Sequence, residues 1–313
     1  MFSGNKIYRS GILENNYMKL FENVDFGIIL FDEPMKNHTS FKIGGPTDIM
    51  IIPESEEDII NAIKFLRENN IKYFVMGNGT NLLVKDTGIR GAVIKIADKY
   101  NKISIDGDKI NCEAGALLSD IGKYTLENSL TGFEFASGIP GTVGGAITMN
   151  AGAYGGEMKD IVVKVRALDK NNNIVEFNNE EMDFRYRGSK VVDDDLIVLS
   201  TEFQLEKGDK TTIKEKIDDL AYRRQSKQPL EYPSGGSTFK RPTGYFAGKL
   251  IEDAGLRGLQ YGDAQVSEKH CGFVINAGDA NFHEVYTLIK TVQKIVKDKF
   301  QVSLETEIKI IGD

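Results

Sequence analysis

The amino-acid sequence predicts an α+β fold that comprises more than one domain. A chain of 313 residues is long enough for two or three domains, each with its own hydrophobic core. Residues 102–113 alternate as an antiparallel hairpin does, whereas apolar residues follow one helical face from residue 281 to 299. The loop after the strand predicted at residues 72–76 leads into more strand-like residues and not into a helix. A Rossmann fold is therefore excluded, because its phosphate-binding loop opens a helix.

Composition and charge exclude several classes of function. Hydrophobic residues make up 41% and charged residues 27% of the chain, as in globular proteins. The net charge of −7 argues against a general nucleic-acid binder, which needs a basic surface, but leaves room for one basic pocket. The two cysteines, Cys112 and Cys271, have neither C-x-x-C spacing nor histidines at metal-site intervals, which predicts reduced thiols and no metal site. Because no apolar run is long enough for a membrane span or a signal peptide, we expect a cytoplasmic protein.

Periodicity and capping signals predict the other elements. The N-terminal segment, residues 1–36, carries apolar residues at roughly helical spacing and is predicted to contain a helix. Ser55 and Thr212 are predicted helix N-caps, each with an acidic residue three positions later. Gly255 is predicted to end a helix that begins near Phe246. The remaining predictions are helices at 119–129 and 281–299 and strands at 48–52, 72–76, 82–84, 93–96, 162–168, 174–177, 196–199 and 302–311.

Two glycine-rich stretches carry the strongest functional signal. The first, residues 77–84, can form an anion-binding nest, because successive backbone N–H groups in a turn point the same way without any helix. The second spans residues 135–156 and contains seven of the chain's glycines, at positions 138, 141, 144, 145, 152, 155 and 156. Glycine permits φ > 0 and lets a ligand lie against the main chain, so this stretch serves either a ligand or tight turns. From the residues alone, these two interpretations are equally well supported.

Four separated sequence motifs, taken together, are specific enough to indicate a protein family. They read Thr-Ser-Phe-Lys-Ile-Gly-Gly at 39–45, Gly-Asn-Gly-Thr-Asn-Leu-Leu at 77–83, Ser-Gly-Ile-Pro-Gly-Thr-Val-Gly-Gly-Ala at 137–146 with Asn-Ala-Gly-Ala-Tyr-Gly-Gly at 150–156, and Tyr-Arg-Gly-Ser at 186–189 with residues 236–242 and 304–308. Together they resemble the UDP-N-acetylenolpyruvoylglucosamine reductase family, over roughly residues 37–312 and in the family's order. The short spacing between Arg187 and Phe203 resembles the family's shorter second type. Cys271 stands where the family more usually has alanine, which is a small change.

The resemblance implies a fold of three domains. Two α+β domains hold FAD, as in flavoproteins of the vanillyl-alcohol-oxidase (VAO/PCMH) type, and a C-terminal α+β domain binds the substrate. The composition of the chain changes near residues 207–209. We therefore expect domains at residues 1–98, 99–207 and 208–313, with the last strand returning to the FAD site.

The reaction that the resemblance implies has two halves. NADPH reduces FAD, and the reduced flavin passes hydride from N5 to C3 of UDP-N-acetylenolpyruvoylglucosamine, giving UDP-N-acetylmuramate for peptidoglycan synthesis. Hydride at C3 drives negative charge onto C2 and the substrate carboxylate. The protein therefore needs a fixed cation near the carboxylate and an acid beside C2.

The family's motifs imply that Arg187, Ser237 and Glu307 are catalytic. Arg187 can hold a carboxylate through two parallel hydrogen bonds, although the pattern alone favours a surface arginine. Ser237 matches the proton donor to C2, although the pattern alone favours a plain turn serine. Glu305 and Glu307 share one strand face, and the family motif selects Glu307 as the carboxylate that orients or helps protonate the intermediate.

The resemblance also implies the ligand contacts. None of the histidines, His38, His270 and His283, lies in the first glycine-rich stretch, so we expect FAD to be bound without a covalent link. The implied FAD contacts are Gly77, Asn78, Gly79, Thr80, Asn81, Leu82, Ser137, Gly138, Pro140, Gly141, Gly144, Gly145, Asn150, Gly152 and Ala153. The implied substrate contacts are Tyr186, Lys227, Lys240 and Arg241, of which the three cations either bind the uridine diphosphate or are ordinary solvated charges.

Two other functions stay open. A flavin oxidase of the same fold would act on another substrate, and a nucleotide-sugar-binding protein could keep the fold without the chemistry. The absence of a histidine in the first glycine-rich stretch, together with Arg187, Ser237 and Glu307, speaks against an oxidase. We expect a monomer that binds NADPH and UDP-N-acetylenolpyruvoylglucosamine and interacts with neither nucleic acid nor a membrane.

Overall fold

The structure, a computed structural model, describes residues 7–9 and 17–313, with side chains from residue 17 onward. The chain forms two compact units whose segments interleave in sequence. Unit 1 contains the described residues of segments 1–31, 49–78 and 91–224, and unit 2 contains residues 32–48, 79–90 and 225–313. The predicted boundaries at residues 98 and 207 both fall inside unit 1, and the division into three domains stays a prediction.

Short strands and a few longer helices make up both units. The strands are β1 (Ile7–Arg9), β2 (Ile28–Pro34), β3 (Pro46–Ile52), β4 (Tyr73–Met76), β5 (Leu82–Val84), β6 (Ile89–Lys95), β7 (Ile103–Asp106), β8 (Lys109–Glu113), β9 (Leu130–Thr131), β10 (Gly152–Ala153), β11 (Gly156–Glu157), β12 (Val162–Leu168), β13 (Ile174–Asn178), β14 (Ile197–Gln204), β15 (Glu206–Lys207), β16 (Gln260–Tyr261), β17 (Ala264–Val266), β18 (Val274–Asn276) and β19 (Lys309–Ile311). The α-helices are α1 (Glu56–Glu68), α2 (Leu118–Glu127), α3 (Val143–Thr148), α4 (Lys190–Asp193), α5 (Lys210–Lys227), α6 (Ala247–Asp253) and α7 (Phe282–Phe300).

Unit 1 is built on two five-stranded sheets. The first has the order β1-β2-β3-β6-β4, with parallel pairing between β1 and β2 and between β4 and β6. The second has the order β13-β12-β14-β8-β7 and is antiparallel throughout. Arg166 on β12 donates to both carboxylate oxygens of Glu56 on α1, at 3.0 and 3.1 Å. Such a two-bond pair fixes orientation, so it ties α1 to the second sheet.

Unit 2 has a separate hydrophobic core. Its antiparallel sheet has the order β16-β17-β18, and α7 buries one apolar face that contains Val285, Leu288, Ile289, Val292 and Val296. β19 pairs in parallel with β5, which sets Lys309 opposite Leu82 in the register. The last strand of the chain is therefore fixed directly beside the end of the first glycine-rich stretch.

Most predicted elements are confirmed. Residues 103–113 form the β7–β8 hairpin, and α7 covers the predicted amphipathic helix. The hydroxyl of Ser55 accepts a hydrogen bond from the backbone N–H of Asp58 at 3.1 Å, as the capping signal predicts. α6 ends shortly before Gly255, whose φ is +82°.

Three sequence predictions are wrong in part. In the N-terminal segment, a 3-10 turn covers Met18–Phe21 and Ile28 begins the strand β2, while residues 1–6 and 10–16 lie outside the described residues. β2 buries Ile29 and Phe31 with the two-residue period of a strand, which a short apolar run cannot reveal unambiguously.

The other two corrections concern element ends. Thr212 is not an N-cap, because α5 begins at Lys210 and the carboxylate of Asp209 accepts from the backbone N–H of Thr212 at 2.9 Å. Of the strand predicted at residues 302–311, only Lys309–Ile311 is a regular strand. In the part of the chain that the structure describes, no helix has the length and apolar character needed to cross a membrane.

Candidate functional site

Within unit 1, the beginning of the first glycine-rich stretch lies against the second stretch. β4 leads directly into Gly77, and a Cβ atom added there would lie 2.2 Å from Oγ1 of Thr142. Thr142 is 2% exposed and immediately precedes α3. Only glycine allows this approach, so Gly77 is required by packing between the two stretches.

The glycines of the second stretch serve two different purposes. Gly144 donates to the carbonyl oxygen of Ala114 at 2.8 Å, and its added Cβ would lie 3.2 Å from that of Ala114. Gly152 lies in the β10–β11 hairpin, where a Cβ would lie 2.8 Å from the carbonyl oxygen of Gly156. By contrast, Gly145 is exposed, and the nearest atom to its added Cβ is 3.7 Å away. Gly144 and Gly152 therefore permit packing, whereas Gly145 leaves bare backbone open to a ligand.

Two of the predicted FAD contacts use their side chains inside the protein. The Ser137 hydroxyl donates to the carbonyl oxygen of Glu134 at 2.7 Å. Asn150 is 1% exposed, has φ +41°, and donates to Glu157 Oε2 at 2.8 Å and to the Arg185 carbonyl oxygen at 3.3 Å. These side chains hold the shape of the stretch, so contacts with a ligand from either residue would come from the backbone.

A tight turn presents Arg187 beside the second glycine-rich stretch in unit 1. Arg185 and Gly188 exchange backbone hydrogen bonds of 3.0 and 3.1 Å, which leaves Tyr186 and Arg187 as the two turn residues. Arg187 has φ +55°, an unusual value for a residue with a side chain. The hydroxyl of Ser189 donates to the Thr148 carbonyl oxygen at 3.1 Å, which fastens the turn to the end of α3.

Within unit 2, the rest of the first glycine-rich stretch contacts the C-terminal segment. Gly79 has φ +62°, and its carbonyl oxygen accepts from the backbone N–H of Ser40 at 3.2 Å. The side-chain amide of Asn81 donates to the carbonyl oxygen of Glu307 at 3.3 Å, and the N–H of Lys309 donates to the carbonyl oxygen of Asn81 at 2.9 Å. This arrangement sets Glu307 next to residues 79–82.

The segments that carry Ser237 and Glu307 are paired in unit 2. Phe239 and Thr306 form an antiparallel bridge, and the N–H of Glu307 donates to the carbonyl oxygen of Thr238 at 2.9 Å. Thr238 is fully buried, whereas the neighbouring Ser237 is partly accessible. The structure therefore brings the predicted proton donor and the predicted catalytic carboxylate onto adjacent segments.

The predicted substrate-binding cations of unit 2 differ in their surroundings. Lys240 forms an ion pair with Glu305 at 3.1 Å, and both side chains are largely exposed. The Arg241 guanidinium stacks over the Phe246 ring, 4.0 Å from its centroid. Lys227 is the exposed last residue of α5. Exposed ion pairs contribute only about 0–1 kcal/mol, so an anionic ligand could compete with Glu305 for Lys240.

Glu134 was not identified as a buried carboxylate by sequence analysis. It is 2% exposed and accepts hydrogen bonds from Thr131 Oγ1 at 2.6 Å, the Gly132 N–H at 3.0 Å and Lys216 Nζ at 3.1 Å. Burial alone would raise the pKa of the Glu134 carboxyl, but these hydrogen bonds outweigh burial and hold the pKa below its ordinary value. Glu134 thus anchors the start of the second glycine-rich stretch in unit 1.

In each unit, open glycines fit the phosphates of a dinucleotide cofactor. In unit 1 Gly138 and Gly145 are exposed, and in unit 2 Gly79 has a positive φ, so bare N–H groups can approach an anion closely. Among the described residues, no group of three or more His, Cys, Asp or Glu side chains is arranged to hold a metal ion.

Comparisons with known proteins identify the family of the chain. The sequence model of the FAD binding domain matches residues 47–178, and that of the UDP-N-acetylenolpyruvoylglucosamine reductase C-terminal domain matches residues 228–311. The reductase of Caldanaerobacter subterraneus is 57% identical over 94% of this chain and 97% of its own length. The reductase of Clostridioides difficile is 53% identical, over 95% of this chain and 98% of its own.

A solved structure supports the same assignment. The crystal structure of UDP-N-acetylenolpyruvylglucosamine reductase from Thermus caldophilus matches with a TM-score of 0.77 and 32% identity, over 88% of this chain and 97% of that one. The predicted fold class, an α+β FAD-binding region followed by a C-terminal domain, is confirmed. The chain therefore belongs to the UDP-N-acetylenolpyruvoylglucosamine reductase family and is an FAD-dependent oxidoreductase.

Proposed function

We propose that the protein reduces UDP-N-acetylenolpyruvoylglucosamine to UDP-N-acetylmuramate, with NADPH as the reductant. One observation carries the proposal beyond family membership: the hydrogen bond between Glu307 and Thr238 sets Ser237 and Glu307 on paired segments. Reduction of an enol ether needs a proton donor and a charged group that supports it, and this pair supplies both. The product is a peptidoglycan precursor, so the proposal extends to cell-wall biogenesis and, through it, to cell shape and division.

The two glycine-rich stretches hold the FAD in this proposal. Their open backbone supplies N–H groups for the diphosphate at residues 77–82 and for the remainder of the cofactor at residues 137–153. When bound there, FAD would supply the hydride chemistry, taking hydride from NADPH for transfer to C3 of the substrate. We expect non-covalent binding, because His38, His270 and His283 all lie outside both stretches.

Ser237 donates the proton to C2 in this proposal. Gly236, with φ +77°, turns the chain immediately before it, and the buried Thr238 fixes the chain immediately after it. A serine hydroxyl is a weak acid, so a cation must stabilise the alkoxide that forms. Lys240 and Arg241 follow in the same segment and supply positive charge in unit 2.

Arg187 binds the substrate carboxylate in this proposal, and Glu307 orients the proton donor. A guanidinium matches a carboxylate with two parallel hydrogen bonds and keeps its charge at every physiological pH. Tyr186, Lys227, Lys240 and Arg241 bind the remainder of the nucleotide-sugar, with the three cations directed to the diphosphate. We further propose that the protein works as a monomer in the cytoplasm.

Anaerobic stopped-flow absorbance tests the function. NADPH should bleach the flavin band of the purified protein, and UDP-N-acetylenolpyruvoylglucosamine should restore it within the enzyme's turnover time. A flavin that only oxygen can reoxidise would indicate an oxidase. A protein that binds the nucleotide-sugar without any flavin reoxidation would indicate a binding protein, and both results would overturn the proposal.

A further inference from the structure

The segment Thr-Ser-Phe-Lys-Ile-Gly-Gly at residues 39–45 forms a closed turn in unit 2. Thr39 is buried, and its hydroxyl donates to the carbonyl oxygen of Ile43 at 3.0 Å. The carbonyl oxygen of Thr39 accepts from the N–H of Lys42, whose φ is +59°. Hydrogen bonds within one short segment fix the path of its backbone. The proposed function assigns no role to this segment.

The ring of Phe41 lies directly against the turn that precedes Ser237. Phe41 is fully buried, and a Cβ atom added to Gly235 would lie 2.5 Å from Cε2 of Phe41. The same Cβ atom would lie 3.0 Å from Cγ2 of Ile308, the residue after Glu307. Carbon atoms in contact are about 3.5–4.0 Å apart, so only glycine allows this approach. The backbone before the proposed proton donor therefore rests on the Phe41 ring.

A buried side-chain amide joins Phe41 to the same turn a second time. Asn276 is buried, and its side-chain amide donates to the carbonyl oxygen of Phe41 at 3.1 Å. The backbone N–H of Asn276 donates to the carbonyl oxygen of Pro233, two residues before Gly235, at 2.9 Å. Buried hydrogen bonds are costly to break, because the group left behind has no water to replace its partner. One residue of β18 therefore holds both Phe41 and the start of the Ser237 turn.

The residue before Phe41 connects this support to the first glycine-rich stretch. The backbone N–H of Ser40 donates to the carbonyl oxygen of Gly79 at 3.2 Å. Two adjacent residues thus contact the loop that binds the diphosphate in the proposed function and the turn that carries Ser237. Proton transfer depends on the exact position of the donor, and a misplacement of about 1 Å can slow a reaction about 10²-fold.

We propose that Phe41 is a positioning residue, whose ring fixes the Ser237 turn relative to residues 79–82. The inference rests on the proposed function, because it needs Ser237 to be the proton donor. Phe41 is fully buried and therefore acts only through Gly235 and the turn. A side chain smaller than phenylalanine leaves the turn without its support, and a side chain at Gly235 pushes the turn away from the ring.

Anaerobic stopped flow on the holoenzyme tests both changes. We expect Phe41→Leu and Gly235→Ala each to slow flavin reoxidation by UDP-N-acetylenolpyruvoylglucosamine about tenfold to 10²-fold, because the Ser237 hydroxyl is displaced. Bleaching of the flavin by NADPH should stay within about threefold of the wild-type rate, since that half-reaction takes no proton from Ser237. Wild-type reoxidation in both variants would overturn the proposal.

The double variant Phe41→Leu/Gly235→Ala distinguishes positioning from general destabilisation. Leucine lacks Cε2, the atom that the new methyl group would meet at 2.5 Å. The double variant should therefore reoxidise its flavin faster than Gly235→Ala and unfold at a higher urea concentration. Independent destabilising changes would instead add in both measurements. A double variant no faster than Gly235→Ala would overturn the proposal.

Phe300→Leu is the matched control, since Phe300 ends α7 and packs on the same core. It should leave both half-reactions within about twofold of the wild type. An equal slowing of reoxidation in Phe300→Leu and Phe41→Leu would also overturn the proposal.

These measurements separate the inference from the proposed function. If the nucleotide-sugar reoxidises the wild-type flavin and both single variants turn over normally, the inference fails and the function stands. If the nucleotide-sugar does not reoxidise the wild-type flavin, the function fails, and the positioning role fails with it.

Discussion

The backbone N–H of Glu307 donates a hydrogen bond of 2.9 Å to the carbonyl oxygen of Thr238. Backbone pairing therefore sets the distance between the segments that carry Ser237 and Glu307. This pairing does not depend on the side chains of these two residues. Changes that remove either functional group should leave the local fold intact. Substitutions at these positions consequently report on chemistry with little contribution from misfolding.

Replacing Ser237 by alanine should separate the two half-reactions. NADPH should still bleach the flavin of Ser237→Ala, but reoxidation by UDP-N-acetylenolpyruvoylglucosamine should slow about 10²–10⁴-fold, because the proton donor is missing. Anaerobic stopped flow measures both rates. Ser234→Ala, in the same segment, is the matched control and should keep both rates. Wild-type reoxidation in Ser237→Ala would remove Ser237 from the mechanism.

The two C-terminal glutamates should behave differently. Glu305 forms an ion pair with Lys240 at 3.1 Å on an exposed surface. By contrast, the backbone of Glu307 forms hydrogen bonds with the side-chain amide of Asn81 and the carbonyl oxygen of Thr238. Glu307→Gln should slow flavin reoxidation about 10²-fold, because it removes the charge that supports the proton donor. Glu305→Gln should change the rate less than about threefold under the same conditions. The opposite order of effects would assign the role to Glu305.

Two glycine substitutions should distinguish packing from ligand contact. Gly77→Ala should lower the free energy of unfolding by about 1–3 kcal/mol, because the new Cβ would lie 2.2 Å from Oγ1 of Thr142. The double variant with Thr142→Ala should recover much of this loss, because alanine lacks both Oγ1 and Cγ2 and keeps only the Cβ, which is 3.3 Å away. Urea unfolding measures both. A double variant no more stable than Gly77→Ala would disprove the steric explanation.

Gly145→Ala is the complementary variant. Gly145 lies in α3 with open space around it, so alanine should leave stability unchanged or raise it by up to about 1 kcal/mol. The added methyl group should nevertheless weaken FAD binding, because it occupies the surface on which we place the cofactor. Flavin release on dilution measures the effect. A variant that retains wild-type FAD affinity would place Gly145 outside the cofactor site.

Glu134 should make the protein sensitive to acid. Its folded-state pKa lies below the ordinary value, so its stabilising contribution is complete above a pH of about 4.3 and is lost as the pH falls through the folded-state pKa. Glu134→Gln should cost about 1–3 kcal/mol at neutral pH. It should also flatten the decline in Tm below that pH, which calorimetry detects. An unchanged acid profile in the variant would contradict this role.

The sequence predicted those helices, caps and hairpins that depend on local residue patterns. The helix α1 with its Ser55 cap, the β7–β8 hairpin and α7 follow from spacing and capping alone, and the structure confirms them. Gly144 and Gly145, by contrast, are adjacent glycines, and only the tertiary approach of Ala114 separates the packing glycine from the open one. Glu134 escaped detection for the same reason, because its role depends on burial and on Lys216, which is distant in sequence.

The turn that presents Arg187 has a consequence for binding free energy. A residue with φ +55° would seldom adopt this conformation in a flexible loop, yet two hydrogen bonds between Arg185 and Gly188 maintain it. The loss of backbone entropy at this position therefore occurs when the chain folds and not when a ligand arrives. An anion that contacts this guanidinium therefore meets a backbone that is already ordered, so the free energy of the contact is not reduced by ordering the turn.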